Sequence, residues 1–488
     1  MIRLGKPVTL AGFCSGMRGG VPLEIPASVQ DRLARDRAVV DRAAAGEAPV
    51  YGLNTGLGGN LAHRLDPEEI AAFQRQILEG RAIAVGPLLP EEAGRGILLA
   101  RLVSTSGGGS GISPRMFAHL AALYASGLSP ALPRLGSIGA ADLTQNAVWA
   151  LAVLGSGQIW RDGVLVDAGE ALAGAGLAVP DMRPKDAMAL INHGGLSVAL
   201  AASALCEASR ALAMARAAVL LSYAGYDASR DVLAADVNAL RPSPGQQEMA
   251  AWLAGRLEGG DHSQRRVQEA LSFRVVAPVM GAAQAAWDAA RGVWEQEANG
   301  LSDSPAVIGS DAMRSTANFH APALSLALES CGLALAMAAN GAVQRCQRMM
   351  TPGLSGLPKY LSSVGGASAG MVPMQKTAAA VLAEIRRHAM PVALDPAPVS
   401  ETVEDMAAMT PLAALKLSEL VENLMLLCGI EAVVAAQAVD LRGVTLSPAA
   451  GRVHAAIRDV VAPLAQDRAI GVDIPKAVKA LAEVAEVV

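Results

Sequence analysis

The sequence predicts an all-α protein built on long helices, and three observations carry that expectation. Aromatic residues make up only 3% of the 488 residues while hydrophobic residues make up 52%. The core must therefore be assembled from Ala, Leu and Val, small side chains that let helices approach closely. A strand-rich fold draws on more β-branched and aromatic residues. Apolar residues recur at helical spacing over roughly residues 183–230, 262–298, 320–350, 372–390 and 406–441, most of them longer than the usual ~8–20 residues of a globular helix. These segments carry alanine on several faces, the pattern of helices buried nearly all round in a large bundle, with partner subunits covering what one chain leaves open.

The earlier elements follow from local signals. Asp66-Pro67-Glu68-Glu69 opens a helix, with Asp at the cap, Pro at the first position and Glu at the third. Ile70, Phe73 and Ile77 fall on one face of it before Gly80 ends it. Ser113-Pro114 caps another helix that ends near Gly127, and residues 157–166 form a small hairpin around Arg161-Asp162-Gly163. The longest uncharged run, Ala187 to Cys206, is long enough to span a membrane. Asn192-His193-Gly194-Gly195 interrupts it, which predicts a loop followed by a buried helix. The expected organisation is a loop-rich helical portion over 1–190, a long-helix bundle over 191–445 and a helical segment over 446–488.

A net charge of −5 with mixed signs excludes a basic nucleic-acid footprint. The five cysteines, Cys14, Cys206, Cys331, Cys346 and Cys428, are scattered and form no Cys-x-x-Cys pair, which fits a reducing compartment. No apolar run follows Met1, so no signal peptide is read. The expected protein is soluble and cytoplasmic, with no membrane or nucleic-acid partner. No His, Cys or Asp cluster has metal-ligand spacing, so no metal is expected.

Three glycine-rich loops punctuate the helices: Tyr51 to Gly59, Ser106 to Gly111, and Leu135 to Leu143. None is a P-loop, because no Gly-Lys-Ser/Thr follows a strand. Taken with later segments, they resemble the aromatic amino acid ammonia-lyase and aminomutase family, with histidine ammonia-lyase the nearest relative. Tyr51-Gly52-Leu53-Asn54-Thr55-Gly56 resembles the family's tyrosine loop, and Ser110-Gly111-Ile112-Ser113-Pro114 its next loop. Gly136-Ser137-Ile138-Gly139 leads to the position of its prosthetic group. Leu190-Ile191-Asn192, Gln268 to Arg274, Asn318-Phe319-His320, Leu354 to Pro358 and Glu384 follow in the family's order. The resemblance runs from about residue 48 to about 440. It implies a helical bundle of the ammonia-lyase/fumarase type, assembled as a homotetramer with active sites shared between subunits.

The family's chemistry uses a methylidene-imidazolone (MIO) ring made by cyclising an internal Ala-Ser-Gly. The substrate amine adds to the ring and becomes a better leaving group, a tyrosine removes the β-proton, and an arginine holds the carboxylate. This sequence departs from that pattern. Only Ala140 and Ala141 stand between Gly139 and Asp142, and without a serine hydroxyl there is no water to eliminate and no methylidene. The MIO group is therefore expected to be absent, and no other cofactor is expected. Leu271 replaces the tyrosine of the family's Gln-x-x-Tyr segment, Arg81 its histidine, His193 a small residue, and Ser304 an asparagine before Pro305.

The retained residues keep a chemistry. Tyr51 is the candidate general acid or base. A phenol titrates near ~10, so a tyrosine base near neutrality needs a cationic neighbour, and Arg81 or Arg274 could supply one. Arg274 offers a planar guanidinium to a substrate carboxylate. Gln268, Leu271 and Arg274, three residues apart, span about 120° of one helix face. Asn192 can donate to a carboxylate or oxyanion, His193 is a candidate base near neutrality, Glu384 a contact to the substrate amine or to Tyr51, and Phe319 a packing wall. The expected function is MIO-independent proton abstraction on a small carboxylate-bearing substrate, with elimination, isomerisation or conjugate addition. The alternatives are a true MIO-type ammonia-lyase or aminomutase and a non-catalytic ligand-binding homologue.

Overall fold

The computed structural model describes residues 1–56, 63–263, 266–393 and 398–488. The all-α expectation holds. The strands are short pieces paired in small sheets of two or three, among long helices.

The local signals act as chemistry predicts. Asp66 and Glu69 form a reciprocal capping box: the Glu69 amide donates to Asp66 Oδ1 at 2.8 Å and the Asp66 amide to Glu69 Oε2 at 2.9 Å. Ser113 Oγ accepts the Met116 amide at 3.2 Å and starts helix Pro114–Ala125. Strands Gln158–Arg161 and Val164–Asp167 pair antiparallel across Asp162-Gly163, both with positive φ.

The long segments become helices Gly195–Tyr226, Val276–Asn299, Pro322–Met349, Val372–His388 and Thr410–Arg442. The expected interruption lies at 192–194, between helices Asp186–Ile191 and Gly195–Tyr226. One expectation is corrected. Residues 262–263 and 266–270 are not helical; a single turn, Leu271–Arg274, precedes Val276–Asn299. The reason is local: the Ser263 amide and hydroxyl and His262 Nδ1 all turn to the carboxylate of Asp227, an alternative to a helical start. Among the described residues, three helical stretches, Asp186–Tyr226, Pro322–Met349 and Thr410–Arg442, are long and apolar enough to cross a membrane by length and composition. In the first and third, 83% and 78% of the most apolar window is buried inside the protein, so packing accounts for their composition.

The chain divides into two compact units. The first comprises Met1–Cys206, Arg291–Leu328 and Pro391–Leu415; the second comprises Glu207–Ala290, Glu329–Met390 and Lys416–Val488.

The first unit is centred on helix Glu91–Ser106, which is buried from Ala93 onward. Its Leu98, Leu99 and Leu102 are fully enclosed, and each such side chain contributes about 1.5–3 kcal/mol. A β-carbon on Gly96 would lie 2.7 Å from that of Ala199, so glycine lets this helix reach the start of Gly195–Tyr226. Trp294 Nε1 donates to Val198 O at 2.9 Å, and Phe13 meets the Trp294 ring edge-on at 5.2 Å. The reading of the cysteines as scattered thiols is corrected at one pair: Cys14 and Cys206, 192 residues apart, form a disulfide. Spacing along the chain could not show it.

In the second unit, Arg345 is buried in a two-pronged pair with Glu431, at 2.6 Å and 3.0 Å, and Ser222 Oγ adds a bond of 2.7 Å to the same carboxylate. Burial opposes the charge on Arg345, but Glu431 outweighs it and the guanidinium's pKa is raised.

Candidate functional site

The first unit assembles the tyrosine loop, Arg81, the Asn192-His193 loop and the Ala140-Ala141-Asp142 segment.

Tyr51 stands half-buried in a turn whose neighbours are anchored. Leu53 packs in a cluster with Val39, Val40 and Val307, and Asn54 Oδ1 accepts the Val50 amide at 2.7 Å. Leu57, Gly58 and Gly59 of the same glycine-rich loop lie outside the described residues. Arg81 follows helix Pro67–Glu79, and its Nη1 donates to Ile77 O at 3.4 Å. Burial lowers the pKa of Arg81, and Tyr51 and Glu404 oppose that shift electrostatically. The structure thus puts both the phenol and a carboxylate within electrostatic reach of the guanidinium. Sequence reasoning does not find Glu404, because nothing in its local pattern points to Arg81. A backbone signal exists in three dimensions: Ser400, Glu401 and Thr402 all have left-handed φ, at 53°, 55° and 71°. Such turns are costly for residues with a β-carbon and gather at functional segments. Val399 and Glu404 close that turn with two backbone bonds, of 3.0 Å and 3.2 Å.

Asn192 Nδ2 donates to Ser304 O at 2.5 Å. Next to Ser304, Asp303 is completely buried and meets Arg101 Nη1 at 2.7 Å, Arg101 Nη2 at 2.9 Å, Ser110 Oγ at 3.0 Å and Lys185 Nζ at 3.5 Å. This charged cluster carries the loop that presents Asn192. The expectation that His193 is a general base is corrected by its surroundings. Its Nδ1 accepts the Gly195 amide at 2.9 Å and its Nε2 donates to Leu190 O at 2.9 Å. Both nitrogens are engaged, which holds the neutral tautomer. Burial pushes its pKa well below the usual value, and the charge of Arg101 adds to that. His193 therefore ties the loop to the helix that follows.

At the position of the family's ring, Ala141 and Asp142 have left-handed φ of 64° and 49°. The Ala141 amide donates to Phe319 O at 3.3 Å, and Asn146 Nδ2 donates to Ala141 O at 3.1 Å. Phe319, half-buried, is linked to this segment through its backbone. Asp142 is fully buried, with bonds from Ser137 Oγ at 2.6 Å, the Ser197 amide at 2.8 Å and Ser197 Oγ at 3.1 Å. Burial raises its pKa, and those bonds oppose the rise. The residues present do not fit an MIO ring: the side chains at 140 and 141 are methyl groups, and neither provides a hydroxyl to leave as water.

The second unit holds Gln268, Leu271 and Arg274, all three exposed. Gln268 lies in the loop, so the three do not share one continuous helix. The guanidinium of Arg274 has no hydrogen-bond or ion-pair partner among the described residues. Glu384 is engaged at the surface of helix Val372–His388, 2.8 Å from Arg387. Among the described residues no three His, Cys, Asp or Glu side chains gather in a way that could hold a metal ion.

The same arrangement of helices and loops occurs in known proteins. The chain matches the aromatic amino acid lyase family over residues 8–459. A histidine ammonia-lyase of Sorangium cellulosum is 35% identical over 97% of this chain and 96% of its own length. Among solved structures, an ergothioneine degrading enzyme of Treponema denticola, ergothionase, in complex with desmethyl-ergothioneine sulfonic acid, has a TM-score of 0.95 at 28% identity and is covered over 99% of both chains. A histidine ammonia-lyase of Trypanosoma cruzi has a TM-score of 0.91 at 28% identity over 99% of this chain and 93% of its own. With its family match spanning nearly the whole sequence and curated relatives about one-third identical, the chain belongs to the aromatic amino acid lyases and is an enzyme of the lyase class.

Proposed function

We propose that this enzyme eliminates a group that leaves well without the family's ring, from an amino-acid-like substrate whose α-nitrogen is already quaternary. One observation carries the reading: Ala140-Ala141-Asp142 has no serine from which an electrophile could be made. A quaternary ammonium has no lone pair to add to an electrophile, so an MIO ring would serve it no purpose. It departs as a neutral tertiary amine without activation. The ergothioneine named for the Treponema denticola enzyme is such a betaine, and its chemistry supports a trimethylammonium substrate here.

In this reading Tyr51 takes the proton from the carbon next to the one bearing the carboxylate and the ammonium, the C–H electron pair becomes the new double bond, and trimethylamine leaves with its bonding pair. Arg81 stands within electrostatic reach of that phenol. Arg274 holds the substrate carboxylate in a two-pronged geometry, and Asn192 donates to charge that develops on it. Gln268, Leu271 and Arg274 are exposed in the single chain, as are Leu333 and Met337 on helix Pro322–Met349. That exposure supports a homotetramer in which each site is completed by another copy.

The test supplies the purified enzyme with ergothioneine and, separately, with histidine. Trimethylamine from the first and no ammonia from the second is expected, with Tyr51→Phe slower by about 10²–10⁴-fold. Ammonia from histidine, or an intact mass short of the sequence by the waters of cyclisation, would overturn the reading. A ligand-induced thermal shift with neither product would point to a binding protein.

A further inference from the structure

The segment bearing Gln268, Leu271 and Arg274 is only one helical turn at its end, yet it must hold three side chains at fixed separations. What holds it is the C-terminal end of helix Gly195–Tyr226. The ring of Phe273 stacks on Tyr226 with centroids 4.1 Å apart and planes 10° from parallel. The guanidinium of Arg266 lies over the same Tyr226 ring at 4.8 Å. A stacked phenyl covers one face of the ring, so the guanidinium takes the other. The two ends of residues 266–273 therefore close on one side chain, which is buried.

Other inward groups of the segment are also bonded. Tyr223 Oη donates to Phe273 O at 2.5 Å, and Tyr223 meets the Phe273 ring edge-on at 5.7 Å. Arg345 Nη1 donates to Ser272 O at 3.2 Å. Glu269 accepts the Ser229 amide at 3.2 Å and pairs with Arg266 at 3.0 Å. Glu269, Ser272 and Phe273 thus face the helix end, while Gln268, Leu271 and Arg274 are left exposed.

We propose that Tyr226 is the positioning residue for this face: its ring, clasped between Arg266 and Phe273, sets where Arg274 stands and hence how the substrate carboxylate is received. The proposal rests on the function inferred above for the role of Arg274. It does not rest on it for the clasp itself. Aromatic stacking and a cation on the opposite ring face need the π-surface and not the hydroxyl. Phenylalanine at 226 therefore preserves the clasp and leucine breaks it.

The experiment uses the full-length enzyme as wild type, Tyr226→Phe, Tyr226→Leu, Arg274→Ala and the double variant Tyr226→Leu/Arg274→Ala. Amide hydrogen exchange reads the clasp, and steady-state release of trimethylamine from ergothioneine reads its consequence. In Tyr226→Leu, exchange rises in peptides covering 266–274 while those of helix Thr410–Arg442 keep wild-type protection. Its KM rises by about tenfold with kcat little changed, the signature of lost uniform binding. Tyr226→Phe restores both. On the Arg274→Ala background the leucine variant adds little, because the lost contact is the same one. Unchanged exchange at 266–274 overturns the clasp. A raised exchange with an unmoved KM, or full additivity with Arg274→Ala, overturns the positioning role. A wild type that releases no trimethylamine sinks the functional reading instead, and hydrogen exchange then decides the clasp by itself.

Discussion

Asp303→Asn keeps the shape of the side chain and removes its charge. Asp303, Arg101 and Lys185 all have fully buried side chains, and the one carboxylate faces both cations, at 2.7 Å from Arg101 and 3.5 Å from Lys185. Removing one partner of a buried pair costs about 3–5 kcal/mol, because an uncompensated charge is left out of water. Two features place the expected loss near the lower end, at about 3 kcal/mol. The asparagine oxygen still accepts one bond, and Lys185 can shed its proton, since burial already lowers its pKa. The total stability of a folded domain is about 5–15 kcal/mol, so the variant gives up a large fraction. The assay is urea unfolding of the purified protein followed by circular dichroism at pH 7 and pH 9.5. The midpoint falls by about 1 M for a slope of about 3 kcal/mol per M. The loss is smaller at pH 9.5. A buried lysine with a depressed pKa destabilises the fold most where the unfolded lysine is charged, and the penalty fades as pH rises toward the ordinary value of 10.5. A loss under about 1 kcal/mol, or one that grows with pH, would refute the claim that Asp303 neutralises both cations.

Three further outcomes are expected. His193 has a folded pKa well below the ordinary 6.5. Its neutral form therefore costs no stability above that pH, and stability is lost as pH falls below it, by up to about 1.4 kcal/mol per pH unit; chemical unfolding of His193→Gln at pH 7 and 5.5 removes that share of the slope if the assignment is right. The Cys14–Cys206 bond closes a loop of 192 residues, a stabilisation of up to about 5 kcal/mol in the chain-entropy account. Dithiothreitol accordingly lowers the melting temperature of wild type, leaves Cys14→Ser unmoved, and raises the intact mass by two hydrogens. Gly139 has φ of +79°, and a β-carbon there would sit 2.8 Å from Met409 N and 2.9 Å from Thr410 N. Gly139→Ala costs at least about 2 kcal/mol, read as a drop in unfolding midpoint, and an unchanged midpoint would mean that this loop can shift freely.

The candidate site was partly legible before any folding. The family resemblance pointed to Tyr51, Arg81, Asn192 and Arg274 because short motifs keep their order whatever the fold does around them. His193 looked like a base because a histidine in a glycine loop carries no mark of its hydrogen bonds. Only the packed loop supplies the Gly195 amide on one nitrogen and the Leu190 carbonyl on the other. Glu404 was invisible for the converse reason, since it lies 323 positions after Arg81 and its relation to that residue is one of space alone.

By itself the sequence determined what local energetics decide: helices from apolar spacing and small side chains, their starts at Asp66 and Ser113, the turn at Asp162-Gly163, and the missing serine between Gly139 and Asp142. These depend on groups within a few residues of one another, so the order of residues suffices. Tertiary structure decided the rest: the disulfide between Cys14 and Cys206, the single carboxylate shared by Arg101 and Lys185, the left-handed turn that precedes Glu404, and the loop clasped around Tyr226. Each joins groups far apart in the chain, or holds a backbone shape that only its surroundings stabilise, and no local preference encodes either.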